Sequence, residues 1–418
     1  MSNIIVGLDI GTSFVRVVVG EININNEVEI VGVSKKPTSG LLRNGVIVNI
    51  EATTDCIKEV IHDAEVNAGY DINSCVIGIG GAQIEGMNSK GQVAVTLKGK
   101  NNREISKVDV DRVLEAANAV NIPLERCVLH LIPQEYIIDG IGGYKDPVNN
   151  IGVRLEAEVH IITASKGQIQ NISTCIERTG LFLQNVMLKT LAATQAVMLD
   201  EEKDLGSILI DLGGGTTDVL VVHQDAPVCT LSIPVGGNMV TSDIAIVKGI
   251  SLVTAEKLKL ESGCCWEGVI DSDAEDVIIP GVGGREPELI SRLELCNIIQ
   301  ARVAETLTMV RDEIIHKSNL SQLSGSIILT GGGAQMSGIV ELTESIFGTS
   351  AVRIGMPGKL GGIEEAYRSP EYATAVGLVL ANKDTTVAKT GKKEKKHRDA
   401  DYTGSGESIW QKFKKMFF

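Results

Sequence analysis

The feature that most constrains this chain is that it repeats itself. Ile4 to Ile22 reads IIVGLDIGTSFVRVVVGEI: an apolar strand, an aspartate, a glycine-bearing turn with hydroxyls, and a second apolar strand. Ser207 to Asp225 reads SILIDLGGGTTDVLVVHQD, the same order of parts about two hundred residues later. Two copies of one hairpin, at matched offsets from an aspartate, predict a duplicated α/β architecture of two similar lobes. The 418 residues suffice for two lobes of ordinary domain size. With 43% hydrophobic and 22% charged residues, the composition is that of a soluble globular protein.

Helical spacing of apolar residues predicts helices over Glu51 to Ala68, Lys107 to Ala119, Gln168 to Arg178, Thr190 to Leu199 and Glu288 to His316, the last with Pro287 near its start. Residues 83–165 mix short strands with one helix and carry no glycine-turn motif, which reads as an insertion. The expected order is therefore the first lobe over 1–82 and 166–203, interrupted by that insertion. A second lobe follows over 204–360, its outer part at 236–325, and a return helix to the first lobe over 361–382. Residues 383–405 turn polar and read as a disordered linker before a terminal segment at 406–418.

Charge is unevenly spread. The net formal charge is -14, yet residues 383–418 hold ten Lys or Arg against five Asp or Glu, leaving the rest at -19. An acidic body argues against nucleic acid as a partner, because phosphate contacts need clustered cations. No run reaches the roughly 18 apolar residues of a membrane span. No basic n-region precedes the first strand, so export is not expected. Eight cysteines without a CxxC pair suit reduced, mostly buried thiols in a cytoplasmic protein.

A turn that receives phosphate needs glycines, since backbone N–H groups must approach the anion with no Cβ in the way. Small hydroxyls add donors, and a carboxylate at the strand end can hold magnesium, usually through its waters. Asp9, Gly11, Thr12 and Ser13 supply this set in the first hairpin. Asp211, Gly213, Gly214, Gly215, Thr216 and Thr217 supply it in the second. Either alone fits an ordinary β-turn equally well; together they favour a phosphate clamp. A third element, SIILTGGGAQMSGI from Ser326 to Ile339, is an apolar strand, Gly331, Gly332, Gly333 and Ala334, then a helix start, where free N–H groups and a positive dipole end favour an anion. No GxxxxGK[ST] phosphate loop is present.

These three elements, in this order, resemble those of the actin/chaperone/sugar-kinase superfamily. The resemblance implies an actin-like, two-lobed ATPase fold of duplicated mixed-sheet domains, with ATP and magnesium between the lobes and Asp9 and Asp211 on the metal's waters. It further implies that Gly236, Gly237 and Asn238 form a nucleotide-facing turn, and that Glu256 and Lys259 stand where relatives contact ribose and base. The alternative for that last pair is a solvated ion pair of i,i+3 spacing. Arg16 stands where actins carry a phosphate-facing lysine, with a surface cation on a strand as the equal alternative. Hydrolysing relatives carry a Glu or Gln in the helix between the lobes, whereas LKTLAATQAV places Lys189 there and Gln195 a turn and a half further on. Slow ATPase activity at most is the expectation.

SGLLRNGVIVNIE (Ser39 to Glu51), HLIPQEYIIDG (His130 to Gly140) and GVRLEAEVHIIT (Gly152 to Thr163) resemble the bacterial FtsA family, and the likeness spans essentially the whole chain. It implies that 83–165 is an SHS2-type subdomain. It also implies binding to the C-terminal peptide of the tubulin-like FtsZ, self-association, recruitment of later division proteins, and a peripheral place on the cytoplasmic side of the cell membrane. Arg292, Arg302 and Arg311 are candidate contacts for the FtsZ tail, a helix-in-groove peptide. The rival is a PilM-type pilus-assembly ATP-binding protein of shared fold.

The terminal segment carries its own physics. In ESIWQKFKKMFF, Ile409, Trp410, Phe413, Met416 and Phe417 fall on one helical face, and Lys412, Lys414 and Lys415 lie on or beside the polar face. This is the pattern of a helix lying in the interface of an anionic membrane, too short to cross it. A helix docked on its own protein is the alternative.

Overall fold

A computed structural model of the chain describes residues 4–38, 40–95, 103–271, 276–279, 286–318 and 325–383. The linker and terminal helix expected at 383–418 lie outside the described residues, apart from Lys383. No described helix is long and apolar enough to cross a membrane.

The duplication is visible strand by strand. In the first lobe, strand Ile4–Ile10 pairs antiparallel with Phe14–Ile22, which pairs with Val28–Pro37; on its other side Ile4–Ile10 runs parallel to Ser74–Ile79, followed by Phe182–Leu188. In the second, Ser207–Leu212 pairs antiparallel with Thr217–His223 and so to Ala226–Ile233, and parallel with Ser326–Thr330, followed by Val352–Ile354. Both five-stranded sheets thus have one order and one polarity. Near-continuous apolar runs such as ILI at 208–210 mark strands buried on both faces.

Helix Ile50–Ala68 covers one face of the first sheet, capped by the Asn49 side chain at Ala52 N and ended by Gly69 at φ 72°. On the other face, helix Ala373–Ala381 crosses helix Lys189–Val197. Their approach is set by Gly377, where a Cβ would stand 1.9 Å from the Ala192 carbonyl oxygen. Buried Val376, Leu378 and Val379 join Ile5, Val18 and Val76 of the sheet in one core.

The insertion forms a module with a core of its own. Its four-stranded antiparallel sheet runs Ile141–Tyr144, Arg126–Ile138, Arg154–Ser165, Glu85–Ala94, with helix Lys107–Asn118 laid across it. Val113 and Ala117 pack there against Leu155, Ala157, Val159 and Tyr136.

Four expected boundaries differ. The return helix expected over 361–382 is instead a short helix Glu364–Tyr367, a 3₁₀ turn Pro370–Tyr372 and a helix Ala373–Ala381. Glu288–Ile290 is not helical but pairs as a short strand with Val277–Ile279, and the long helix runs Arg292–Ser318. Its start is fixed by the Ser291 hydroxyl accepting from Glu294 N at 3.2 Å, a cap that Pro287 masked in the sequence. The helix expected to Leu199 ends at Val197, before a separate short helix Asp200–Leu205. After the third glycine element comes a single 3₁₀ turn, Gly332–Gln335, and the α-helix begins only at Ile339.

Candidate functional site

The two glycine turns close with the same bond. Gly11 N donates to Phe14 O at 2.9 Å, and Gly213 N donates to Thr216 O at 2.9 Å. The equivalence extends along the hairpins: Asp9 lies opposite Arg16 and Asp211 opposite Asp218, each seven residues on.

The turns meet face to face between the lobes. A Cβ on Gly214 would stand 2.0 Å from Ser13 Oγ, and one on Gly215 would stand 2.7 Å from Thr12 Oγ1. Ser13 Oγ donates to Asn238 Oδ1 at 3.3 Å, and Thr12 Oγ1 accepts from Gly45 N at 3.1 Å. Behind the second turn, Gly237 N and Asn238 N donate to the carbonyls of Gly213 and Gly214 at 3.0 and 2.8 Å. The first amides of helix Gly237–Lys248 therefore hold the turn in place. Thr217 Oγ1 fastens the same segment by donating to Val235 O at 2.8 Å.

Gly331 takes φ 80°, and its position is crowded: a Cβ would meet Asp211 Oδ1 at 2.2 Å. Gly333 backs onto Leu212, Ala334 is fully buried, and Gly332 faces open space. On the outer side, Lys259 Nζ binds Glu256 Oε2 at 2.6 Å, Thr241 Oγ1 at 2.9 Å and Gly237 O at 3.1 Å. Lys259 thus reaches the Gly236–Asn238 turn through Gly237, while it and the partly exposed Glu256 also form the i,i+3 ion pair that the sequence offered as the alternative.

The floor is acidic. Burial, then the charges of Asp218 and Asp9, push the Asp211 carboxyl up to about 7, against the opposing pull of Lys189 and Arg16. Asp218 is buried, accepting from Gly81 N at 3.0 Å and from Thr216 Oγ1 at 2.9 Å. The sequence reading missed it, although the seven-residue spacing shared with Asp9 and Arg16 was there to be read. Lys189 Nζ lies 2.7 Å from Asp9 Oδ1, an atom that makes no hydrogen bond, and donates to Ile10 O at 2.8 Å. Arg16 is turned to Glu371, Nη2 to Oε2 at 2.6 Å, which Lys35 also binds at 2.6 Å. Phosphate and a divalent cation fit this arrangement: a glycine-lined cradle in which a Cβ on Gly214, Gly215 or Gly331 would strike a neighbour, facing the carboxylates of Asp211 and the buried Asp218 and an Asp9 already paired with Lys189.

The three candidate arginines of the long helix are spread along it and engaged. Arg302 makes a two-pronged pair with Asp243, at 2.5 and 3.1 Å, and also binds Glu305. Arg311 binds Asp312 and donates to Ile346 O, and Arg292 Nη2 donates to Ser262 O at 3.4 Å. Arg302 borders a groove, about 480 Å³ in volume, with Asp243, Ile246, Val247, Ile298, Ala301 and Glu305.

Two matched lobes meeting at paired glycine turns over a carboxylate floor define the actin-like ATPase fold. Among solved structures, that of the PilM-PilN type IV pilus biogenesis complex is similar at TM-score 0.65 and 19% identity, covering 90% of this chain and 98% of that one. MreB5 of Spiroplasma citri bound to ADP is similar at TM-score 0.51 and 16% identity, covering 94% and 98%. Residues 208–377 match the family model "Cell division protein FtsA", and residues 81–163 match "SHS2 domain inserted in FTSA". The cell division protein FtsA of Borreliella burgdorferi is 43% identical over 378 residues, covering 90% of each chain. Those of Pseudomonas aeruginosa and Escherichia coli K12 are 39% and 36% identical, covering 90% and 91% of this chain and 88% and 91% of theirs. The chain belongs to the FtsA family of cell division proteins.

Proposed function

We propose that this protein is an ATP-dependent tether of cell division, which binds FtsZ polymers at one end and the cytoplasmic face of the membrane at the other. The observation that carries the nucleotide part is the face-to-face contact of the two glycine turns, with Asp9 and Asp211 at their strand ends. ATP sits across that contact, with magnesium held through water by the carboxylates. When bound, the metal neutralises phosphate charge; the chain's own residues orient the phosphates and bring the lobes together.

The groove beside Arg302 is the proposed seat of the FtsZ tail. Ile246 and Val247, both exposed, offer apolar contacts, and Arg302 offers a cation already held in position. The terminal segment is the proposed membrane anchor. Each of its lysines contributes about 1 kcal/mol at an anionic leaflet, and self-association multiplies the effect by presenting many tails at once. Recruitment of later division proteins follows from membership of the family. The pilus-assembly reading shares the fold alone.

Co-sedimentation tests the whole assignment. With ATP and magnesium, the protein should carry FtsZ polymers down with anionic vesicles. Truncation after Ser405 should abolish vesicle binding and leave ATP affinity unchanged. Charge reversal at Arg302 should release FtsZ but not the vesicles. Asp211→Ala and Gly332→Val should each weaken ATP in equilibrium titration, and wild-type affinity in both would sink the nucleotide assignment.

A further inference from the structure

Lys189 is the first residue of helix Lys189–Val197. That is the wrong end of a helix for a cation, because the N-terminal dipole end is itself positive. The chain nevertheless makes room for it. Asp9, Gly78 and Met187 lie in register on three adjacent strands, and Lys189 follows two residues after Met187. A Cβ on Gly78 would stand 3.0 Å from Lys189 Cγ, and one on Gly80 would stand 3.2 Å from Lys189 Cδ and 3.3 Å from Asp218 Oδ2. Two glycines thus leave a slot for the lysine stem, and the stem delivers the ammonium to Asp9 and to the Ile10 carbonyl. The side chains of this pair are only 13% and 9% exposed, so solvent screens them poorly. Asp9 Oδ1 has no other partner, so removing the ammonium would leave a buried charge uncompensated.

The consequence concerns how the cleft handles charge. Three carboxylates, Asp9, Asp211 and Asp218, interact at the place where an anionic triphosphate must approach. Without a cation the floor repels it.

We propose that Lys189 is a resident counter-cation of the nucleotide cleft, neutralising Asp9 in place of a divalent ion, so that a nucleoside triphosphate is held with little dependence on magnesium. The proposal rests on the nucleotide reading given above and deepens it: Lys189 is a positioning residue that takes over one of the two charges assigned there to metal-bound water. Asp9 then serves to anchor the lysine, and the metal's protein carboxylate is Asp211.

Equilibrium titration of ATP against the full chain, in excess magnesium and in excess EDTA, is the test. The readout is the ratio of the two dissociation constants. In the wild type the ratio should stay within about threefold, less than one unscreened charge pair would produce. Lys189→Met keeps the stem and removes the charge; it should bind with magnesium but lose about tenfold or more in EDTA. Lys189→Arg should restore the wild-type ratio. A lysine that merely stabilised the fold through its pair with Asp9 would move both constants together and leave the ratio alone, and that result would overturn the proposal. So would a wild type that loses about tenfold or more in EDTA, a measurement that stands even if the Met variant melts early. Absence of wild-type binding in either condition would instead remove the nucleotide reading, and this proposal with it.

Discussion

His130 and His160 are the two imidazoles that folding pulls furthest from their ordinary state, each lowered by burial to about 4. His160 Nδ1 donates to Asn88 Oδ1 at 2.6 Å, and its Nε2 lies 2.8 Å from the Thr230 hydroxyl, from which the neutral ring accepts. The native state therefore binds fewer protons than the unfolded chain between about 6.5 and about 4. Stability that is full above pH 6.5 is lost as pH falls through this window, at most about 3 kcal/mol for each histidine. The raised Asp211 acts with opposite sign over part of the same range, so the comparison must be with a variant. His160→Gln should cost about 1–2 kcal/mol at pH 7.5 through lost hydrogen bonds. Its stability should then fall less steeply than wild type from pH 6.5 to 4 in denaturant titrations. Parallel curves would show that His160 is not the titrating group. At this same scale the sequence was partly legible. The glycines and Asp9 and Asp211 could be read because chemistry puts them beside a repeated motif. Lys189 was read as standing in another residue's place, but its bond to Asp9 joins it to a distant strand, and its slot needs Gly78 on the strand between and Gly80 just after it. No local pattern encodes that.

Helix crossings carry the stability of the first lobe. At Gly377 a side chain would press on the backbone of Ala192, which has no rotamer to move. Gly377→Ala should cost roughly 1–3 kcal/mol, as overpacking in a filled core does. Gly358 meets nothing within 4 Å, so Gly358→Ala should leave the melting temperature nearly unchanged. Thermal unfolding of the pair separates close packing from glycine flexibility as the reason for the first. Elements with strong periodicity and clear caps, such as Ile50–Ala68, could be read to within a residue or two. The long helix was misplaced at its start because three residues, Glu288 to Ile290, pair instead as a strand with Val277–Ile279.

At the scale of the whole molecule, ATP in the proposed site should act as a clamp, since that site is built from turns of both lobes. At a concentration of about 100 times Kd, it adds about 2.7 kcal/mol to the stability of the folded state. The melting temperature should rise by several degrees with ATP and magnesium. Gly214→Ala, whose Cβ would strike Ser13, should reduce or remove that rise while costing little stability without nucleotide. An undiminished shift would mean that the turns need not touch for binding. The duplication, and hence the two lobes, were legible from the repeat alone, whereas the seat of the inserted module was not, because its polar side chains bond mostly to backbone groups far away in sequence.

That module is attached to both lobes. His130 accepts from Leu188 N at 3.0 Å, one residue before Lys189 in the first lobe. His160 meets Thr230 on the edge strand of the second, where Asn88 and Gln134 also donate to the carbonyls of Val228 and Pro227 at 3.0 and 2.8 Å. A rigid body pinned at two points to two others cannot keep both pins when those bodies rotate. Any rotation of one lobe against the other must therefore slide the module over one of its seats, which makes it a pointer whose deflection, some distance from the glycine turns, would report that rotation.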